Sequence, residues 1–268
     1  MFLLGLDGLD GNLAKLLKLK HLTQEHNGSL QVPLDPIYGL PSSPTVWASF
    51  LTGKVTFQHW VDPTPSVAKQ FIAISKFVKW KVFKGKMRLP SRFTPRRIAK
   101  QLGHACNVKK WPKLTESTFV DHPNVSEINS VYYSYRGDAF LHLTTLSLGD
   151  MRCALKHKYE RDKTIILKAS GQPRGKAIFA YIHFPDAFQH VWWTHPHQVY
   201  QHYVNLNMFV GQLQEAVEDE VFIIVSDHGF NVETGLHSLK GFYSSNVPLN
   251  PEPVSITDFH SLVLEHVN

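Results

Sequence analysis

Apolar residues along this chain fall into two patterns. Three short runs, Phe2 to Leu6, Ala177 to Phe184 and Val221 to Val225, are continuous rather than alternating, which predicts β-strands buried on both faces. Elsewhere the apolar positions recur at helical spacing. Asn12 to His26 carries leucines at 13, 16, 17 and 22, and Asp150 to Lys168 opens on an aspartate suited to an N-cap. His197 to Glu218 places Val199, Tyr203, Leu206, Val210, Leu213 and Val217 on one stripe, and Ser255 to Val267 predicts a closing helix. Thr94 to Leu102, with Pro95 in its first turn, and Gly103 to Val108 add a helix and a short strand.

Strands alternating with helices argue for an α/β fold, a three-layer α/β/α sandwich around a mainly parallel sheet. Each of the three runs ends in a polar cluster: Asp7; Pro185-Asp186; Ser226-Asp227-His228-Gly229. In sheets of this kind ligands bind beyond the carboxyl ends of the strands, so Asp7, Asp186, Asp227 and His228 mark the expected site. The stretch from about 62 to 150 lacks the strand-then-carboxylate pattern and is expected to form a smaller cap or insertion within one domain spanning 1–268.

Composition narrows the class. Only 19% of the 268 residues are charged, which excludes a disordered tail protein, and no uninterrupted apolar run approaches membrane-spanning length. Two cysteines, Cys106 and Cys153, make no disulfide framework or metal-type spacing, and both are expected to be buried small hydrophobes. The opening MFLLGLDGLDG lacks a basic n-region and is too short for a signal peptide, so a reducing cytoplasmic location is expected.

Charge changes the picture more. The net balance is +6, yet 14 of the 28 Lys and Arg residues fall between Pro63 and Thr115, where there is no acidic residue. The remainder carries 14 basic against 22 acidic side chains. Such a basic segment on an acidic protein suits a phosphate ester, a nucleic acid or an anionic surface as partner; a solvated helical face is the plain alternative. Within it, Lys69 to Arg88 mixes Phe71, Phe77, Trp80 and Phe83 with lysines, and packing with a solvated basic face is the preferred reading.

The chemistry-bearing residues lie outside that segment. Asp186 and His190 are four apart, on one face of any helical turn after the strand. Asp227-His228 adds an adjacent carboxylate and imidazole, and His237 follows in a glycine-bounded loop. Asp and His without Cys suit Zn²⁺ or Mn²⁺, and this many ligands exceed one tetrahedral site, which argues for two metals and phosphoryl chemistry. In PSSPTVWASFLTG, residues 41–53, the hydroxyls of Ser42, Ser43 and Thr45 precede an apolar helix, where a helix N-terminus suits phosphate binding; a plain serine N-cap is the simpler reading of that element alone.

Taken together, GLDG at 5–8, SPTVWASFLTG at 43–53, DAFQH at 186–190, SDHGF at 226–230 and LHSLKGFY at 236–243 resemble the alkaline phosphatase superfamily, in its type I phosphodiesterase/nucleotide pyrophosphatase branch. The resemblance runs from residue 2 to about 60 and from about 176 onward, and is faint between. It implies that Asp7, Asp227 and His228 hold one divalent metal, and Asp186, His190 and His237 the other, with Zn²⁺ expected and Mn²⁺ the alternative. It implies Ser43 as nucleophile, nine residues before Thr52 of a Thr-Gly pair, although many phosphodiesterases of the family carry threonine there; Thr45 is the backup. His59 is expected to shape the loop after Thr-Gly. The implied activity is hydrolysis of phosphodiester or nucleotide pyrophosphate bonds of a small soluble anionic substrate through a phosphoseryl enzyme. A phosphomonoesterase, or a protein binding nucleic acid or an anionic surface through the basic segment, are the alternatives.

Other conspicuous residues have plainer readings. His195, His197 and His202 are expected at the surface on or before the long helix, Trp192 and Trp193 in the core, and Asp10 at a helix start. Tyr132, Tyr133 and Tyr135 belong to the cap region, where they are candidates for the substrate cleft. Thr45, Lys79, Lys81 and Arg96 are candidates for contacting substrate phosphate; Arg92, Arg96 and Arg97 each offer a further cation for it, and no motif picks one out.

Overall fold

The structure, a computed structural model, describes residues 1–36, 39–57, 114–134, 148–171 and 175–268. In chain order its elements are β1 (Phe2–Leu6), α1 (Gly11–Leu16), β2 (His26–Gln31), α2 (Ser43–Thr52), a 3-10 turn (Phe119–Asp121), β3 (Val125–Ile128) and α3 (Leu148–Ser170). There follow β4 (Ala177–Ile182), α4 (Asp186–Trp192), α5 (Pro196–Ala216), β5 (Phe222–Ser226), the two-residue strands β6 (Phe230–Asn231) and β7 (Leu236–His237), β8 (Lys240–Ser245) and α6 (Asp258–Val267). The main sheet runs β2-β8-β5-β1-β4-β3, with β6 and β7 as a separate ribbon. β5, β1, β4 and β3 are mutually parallel, while β8 joins β5 and β2 joins β8 antiparallel.

The three continuous apolar runs supply the middle of the sheet because helices cover both of its faces. Phe2, Leu4 and Leu6 of β1 pack with residues of α1, α3, α4 and α5, while Leu3 packs on the other face with α2 and α6. On that second face Trp47, Phe50, Phe119 and Phe179 form one buried aromatic group with ring centroids 5.2–6.3 Å apart. Gly5 makes room for it, since a Cβ there would lie 2.9 Å from the Trp47 ring. The result is the expected three-layer α/β/α sandwich, with β1, β4 and β5 ending side by side. Among the described residues no helix is long and apolar enough to cross a membrane.

Local departures from the pattern have physical causes. The helix expected over Asn12–His26 stops after Leu16, with Leu17 as C-cap and Lys18 in the left-handed region at φ 55°, and His26 opens β2 instead. α3 starts at Leu148, so Asp150 is a first-turn residue facing the helix dipole and not the N-cap. Val125–Ile128, inside the stretch expected to be a cap, is the edge strand of the main sheet beside β4. Thr94–Leu102, Gly103–Val108, His59, Cys106, Tyr135, the helix of Lys69–Arg88, and Lys79, Lys81, Arg92, Arg96 and Arg97 lie outside the described residues.

Candidate metal and nucleophile site

Just beyond the carboxyl ends of β1, β4 and β5, the chain places Asp7, Asp186 and Asp227 together, all buried. The turn after β1 enforces this approach. Gly8 adopts φ 75°, and a Cβ on it would sit 2.6 Å from the Asp186 Cβ, so only glycine lets the two turns touch. Its N–H donates to Asp227 Oδ1 at 3.0 Å, and the Asp186 N–H donates to the Asp7 carbonyl at 2.8 Å. Gln189 donates to the Gly8 carbonyl at 2.8 Å and accepts from the Tyr203 hydroxyl at 3.0 Å, tying the turn to α4 and α5. Asp10 caps α1 through the Leu13 N–H and also accepts from the Phe230 N–H, which is the helix-start role expected of it.

The histidines close around these carboxylates. His190 Nε2 lies 3.1 Å and His237 Nε2 3.5 Å from Asp186 Oδ1, and the two nitrogens are 3.0 Å apart. His228 Nε2 lies 3.3 Å from Asp227 Oδ2 and 3.6 Å from Asp7 Oδ1. His228 and His237 stack with ring centroids 3.7 Å apart. Each keeps its Nδ1 against a carbonyl oxygen, that of Gly229 at 3.1 Å for His228 and that of Pro41 at 3.0 Å for His237. A carbonyl only accepts, so Nδ1 carries a proton in each ring, and in the neutral form the Nε2 lone pair is turned into the site.

Ser43 completes the arrangement. It is the first residue of α2, after Ser42 at the N-cap position, and Ser42 makes no side-chain capping bond. The Ser43 hydroxyl donates to Asp7 Oδ1 at 3.1 Å and lies 3.2 Å from His228 Nε2, so it is turned into the carboxylate–imidazole cluster and not used as a cap. Thr45 is fully buried in α2. Tyr132, from the stretch expected to contribute to a cleft, donates from its hydroxyl to the Pro44 carbonyl at 2.5 Å beside Ser43, while Tyr133 hydrogen-bonds Thr118 and Asp121.

The electrostatics of the cluster are set by burial and by close charges. Burial pushes the Asp227 carboxyl well above the usual carboxylate range, and the Asp7 charge beside it adds to this. Burial also opposes ionisation of Asp7 and Asp186, but His183 holds Asp7 below its ordinary value and His190 and His237 hold Asp186 well below. Burial, helped by His237, pulls the His228 imidazole down to about 4, so it is neutral near pH 7. Against the cost of burial, Asp186 raises His237. Asp186 Oδ1 and Asp227 Oδ2 are buried and, among the described residues, have no hydrogen-bond partner of good geometry; what faces them are ring nitrogens. Two groupings bring their ligand atoms within 4.8 Å of one another, Asp7, Asp227 and His228, and Asp186, His228 and His237. His190 adjoins the second. Carboxylate oxygens and imidazole lone pairs turned toward one another, with buried acceptors left over, fit divalent cations of the Zn²⁺ or Mn²⁺ type.

Several residues fall elsewhere than their sequence context suggested. His202, expected at the surface, is buried and stacks on Phe188 at 4.0 Å, because its position on α5 faces the core and a flat neutral ring fits there. His195 and His197 are exposed and Trp192 and Trp193 buried, as expected. Cys153, expected in the core, is exposed on the outer side of α3. Three residues that pattern reading passed over touch Asp7: Trp47, Tyr181 and His183. The signal available for the last two was polar or titratable groups two apart at the end of a buried strand.

A sequence profile of the family described as type I phosphodiesterase / nucleotide pyrophosphatase matches residues 1–242. No curated protein matches the chain. Among solved structures, murine ectonucleotide pyrophosphatase/phosphodiesterase 5 is similar to it at 14% identity and a TM-score of 0.38, over 85% of this chain and 57% of that one. The chain thus spans little more than half the length of that protein.

Proposed function

The chain belongs to the type I phosphodiesterase/nucleotide pyrophosphatase family, and from that premise we propose that it is a metal-dependent phosphoric ester hydrolase. Its bonds of choice are phosphodiester or nucleotide pyrophosphate bonds in small anionic substrates, and Ser43 is its nucleophile. The observation that carries this reading is the Ser43 hydroxyl, held between Asp7 Oδ1 and His228 Nε2 at the edge of a set made of three buried aspartates, the buried His228, the half-buried His237 and the exposed His190. Asp7, Asp227 and His228 would hold one divalent cation and Asp186, His190 and His237 the other; together they would lower the serine pKa, neutralise phosphate charge and stabilise the leaving oxygen.

The chain's own groups do the rest. Asp7 Oδ1 receives the hydrogen bond of the Ser43 hydroxyl at the N-terminal end of α2, where the helix dipole favours an incoming anion. Ser43 oxygen forms a bond to phosphorus as the leaving alcohol or phosphate departs, and water then releases the phosphoryl group from the serine. Ionised Asp7, Asp186 and Asp227 would repel phosphate on their own, and two divalent cations held among them would offset that charge. The basic segment between 63 and 115 would add affinity for anionic substrates.

The test is hydrolysis after reconstitution with Zn²⁺ or Mn²⁺, comparing bis-p-nitrophenyl phosphate with p-nitrophenyl phosphate. Metal-dependent cleavage favouring the diester supports the proposal. Strong preference for the monoester reassigns the enzyme as a phosphomonoesterase, and no metal-dependent cleavage of either overturns the proposal.

A further inference from the structure

Resting on the reading of Asp7 as a metal ligand, we infer that Trp47, Tyr181 and His183 are positioning residues that lock the Asp7 carboxylate so that Oδ1 alone is presented to the cation. The two oxygens of Asp7 have separate surroundings. Oδ1 faces the Ser43 hydroxyl at 3.1 Å and His228 Nε2 at 3.6 Å. Oδ2 is turned away and receives the Tyr181 hydroxyl at 2.5 Å, with His183 Nδ1 at 3.1 Å and Trp47 Nε1 at 3.3 Å. His183 Nδ1 also lies 2.8 Å from the Tyr181 oxygen, so the donors form one network.

The fold brings these donors in from two sides. Tyr181 is the register partner of Gly5 on β4, and His183, two residues on, points to the same side of the sheet as Asp7 does. Trp47 descends from α2 into the space Gly5 leaves open, and its ring meets Tyr181 edge-on with centroids 5.3 Å apart. All three side chains are buried, so the network is held by packing on every side. A carboxylate free to turn exchanges its two oxygens at a metal and pays for ordering on each binding event. One whose outer oxygen is occupied by three donors has its orientation set beforehand. Loss of such outer partners costs about 10–100-fold in metal affinity.

Zn²⁺ affinity measured by competition with a fluorescent chelator tests this on folded protein, with circular dichroism and thermal melts confirming the fold. Tyr181→Phe keeps the ring and removes the donor, and it should weaken the tighter or looser of the two sites by about tenfold or more. His183→Ala should do the same, whereas His183→Asn, whose amide nitrogen falls near the place of Nδ1, should recover most of the loss. Wild-type Zn²⁺ affinity in folded Tyr181→Phe and His183→Ala, or equal weakening in His183→Asn and His183→Ala, overturns the inference. Asp7→Asn separates it from the reading it rests on. If that variant also binds Zn²⁺ as the wild type does, the metal-ligand reading of Asp7 fails; if only Asp7→Asn loses affinity, the positioning role alone fails.

Discussion

Among the described residues, two clusters of buried charged side chains are built in opposite ways. On α3, Lys158 and Asp162 stand one helical turn apart and meet at 2.6 Å, with Arg161 reaching the other carboxylate oxygen at 3.4 Å. Burial pulls the Lys158 ammonium below its ordinary value in spite of Asp162, but the pair contains its own counter-charge. At the strand ends, Asp7, Asp186 and Asp227 are buried equally well, yet among the described residues their ion-pair partners are histidines only. One of those carboxylates is pushed far up in pKa by burial and by its neighbour. Buried charge balanced from within serves packing. Buried charge without a counter-charge of its own, and open to solvent on the side of His190 and His237, suits the cation that the proposed function places there.

The largest expected effect breaks the chemistry without touching the charge balance. Ser43→Ala should lower turnover by on the order of 10³-fold or more while leaving the bound metal per chain unchanged. Full activity in that variant, read by p-nitrophenol release, removes Ser43 from the mechanism.

The next effect belongs to the self-contained pair. Lys158→Ala leaves Asp162 buried without its lysine and should destabilise the fold by about 3–5 kcal/mol in urea unfolding, with no change in metal stoichiometry. Lys158→Met combined with Asp162→Leu should recover most of that loss. A double variant as unstable as the single one would show that the pair does more than fill space.

The open cluster responds the other way. Zn²⁺ at 100 times its dissociation constant should stabilise the wild type by about 2.7 kcal/mol per site, reversed by chelator, because the cation binds the folded state and relieves carboxylate repulsion. A melting temperature insensitive to Zn²⁺ and Mn²⁺ would remove the contrast between the two groups.

The last effect concerns pH, and per pH unit it is the smallest. Burial, with a contribution from Lys163, depresses the His202 imidazole from 6.5 to about 3 in the folded chain. The unfolded chain therefore binds one more proton between those values, and stability contributed by neutral His202 is present above pH 6.5 and is lost as pH falls toward 3. His202→Phe should remove about 1.4 kcal/mol per pH unit from the slope of stability against pH in that window, relative to wild type. Parallel slopes for the two proteins contradict the neutral buried assignment.

The parts of this design legible in the sequence are those where one requirement dominates. β1, β4 and β5 are buried on both faces, so their runs are continuous and their ends conspicuous; Asp7, Asp186, Asp227 and His228 follow from that alone. β2 and β8 were not legible, because HNGSLQ and KGFYSS lie toward the antiparallel edge, where backbone pairing substitutes for apolar content. His202 was misplaced because a helix stripe written in apolar residues gives no sign that a histidine beside it also faces inward. His183 and Tyr181 were hidden inside a strand read for its hydrophobicity, although their hydroxyl and imidazole are what hold Asp7. Ser43 could be separated from a plain N-cap only by distance, once its hydroxyl was seen to reach Asp7 and His228.

The most direct test of the central claim is anomalous diffraction at the zinc absorption edge from crystals of the Zn²⁺-reconstituted protein. The expected result is two peaks per chain, one among Asp7, Asp227 and His228 beside the Ser43 hydroxyl, and one among Asp186, His190 and His237. Peaks located elsewhere, or none at the strand ends in protein shown to contain zinc, contradict the account.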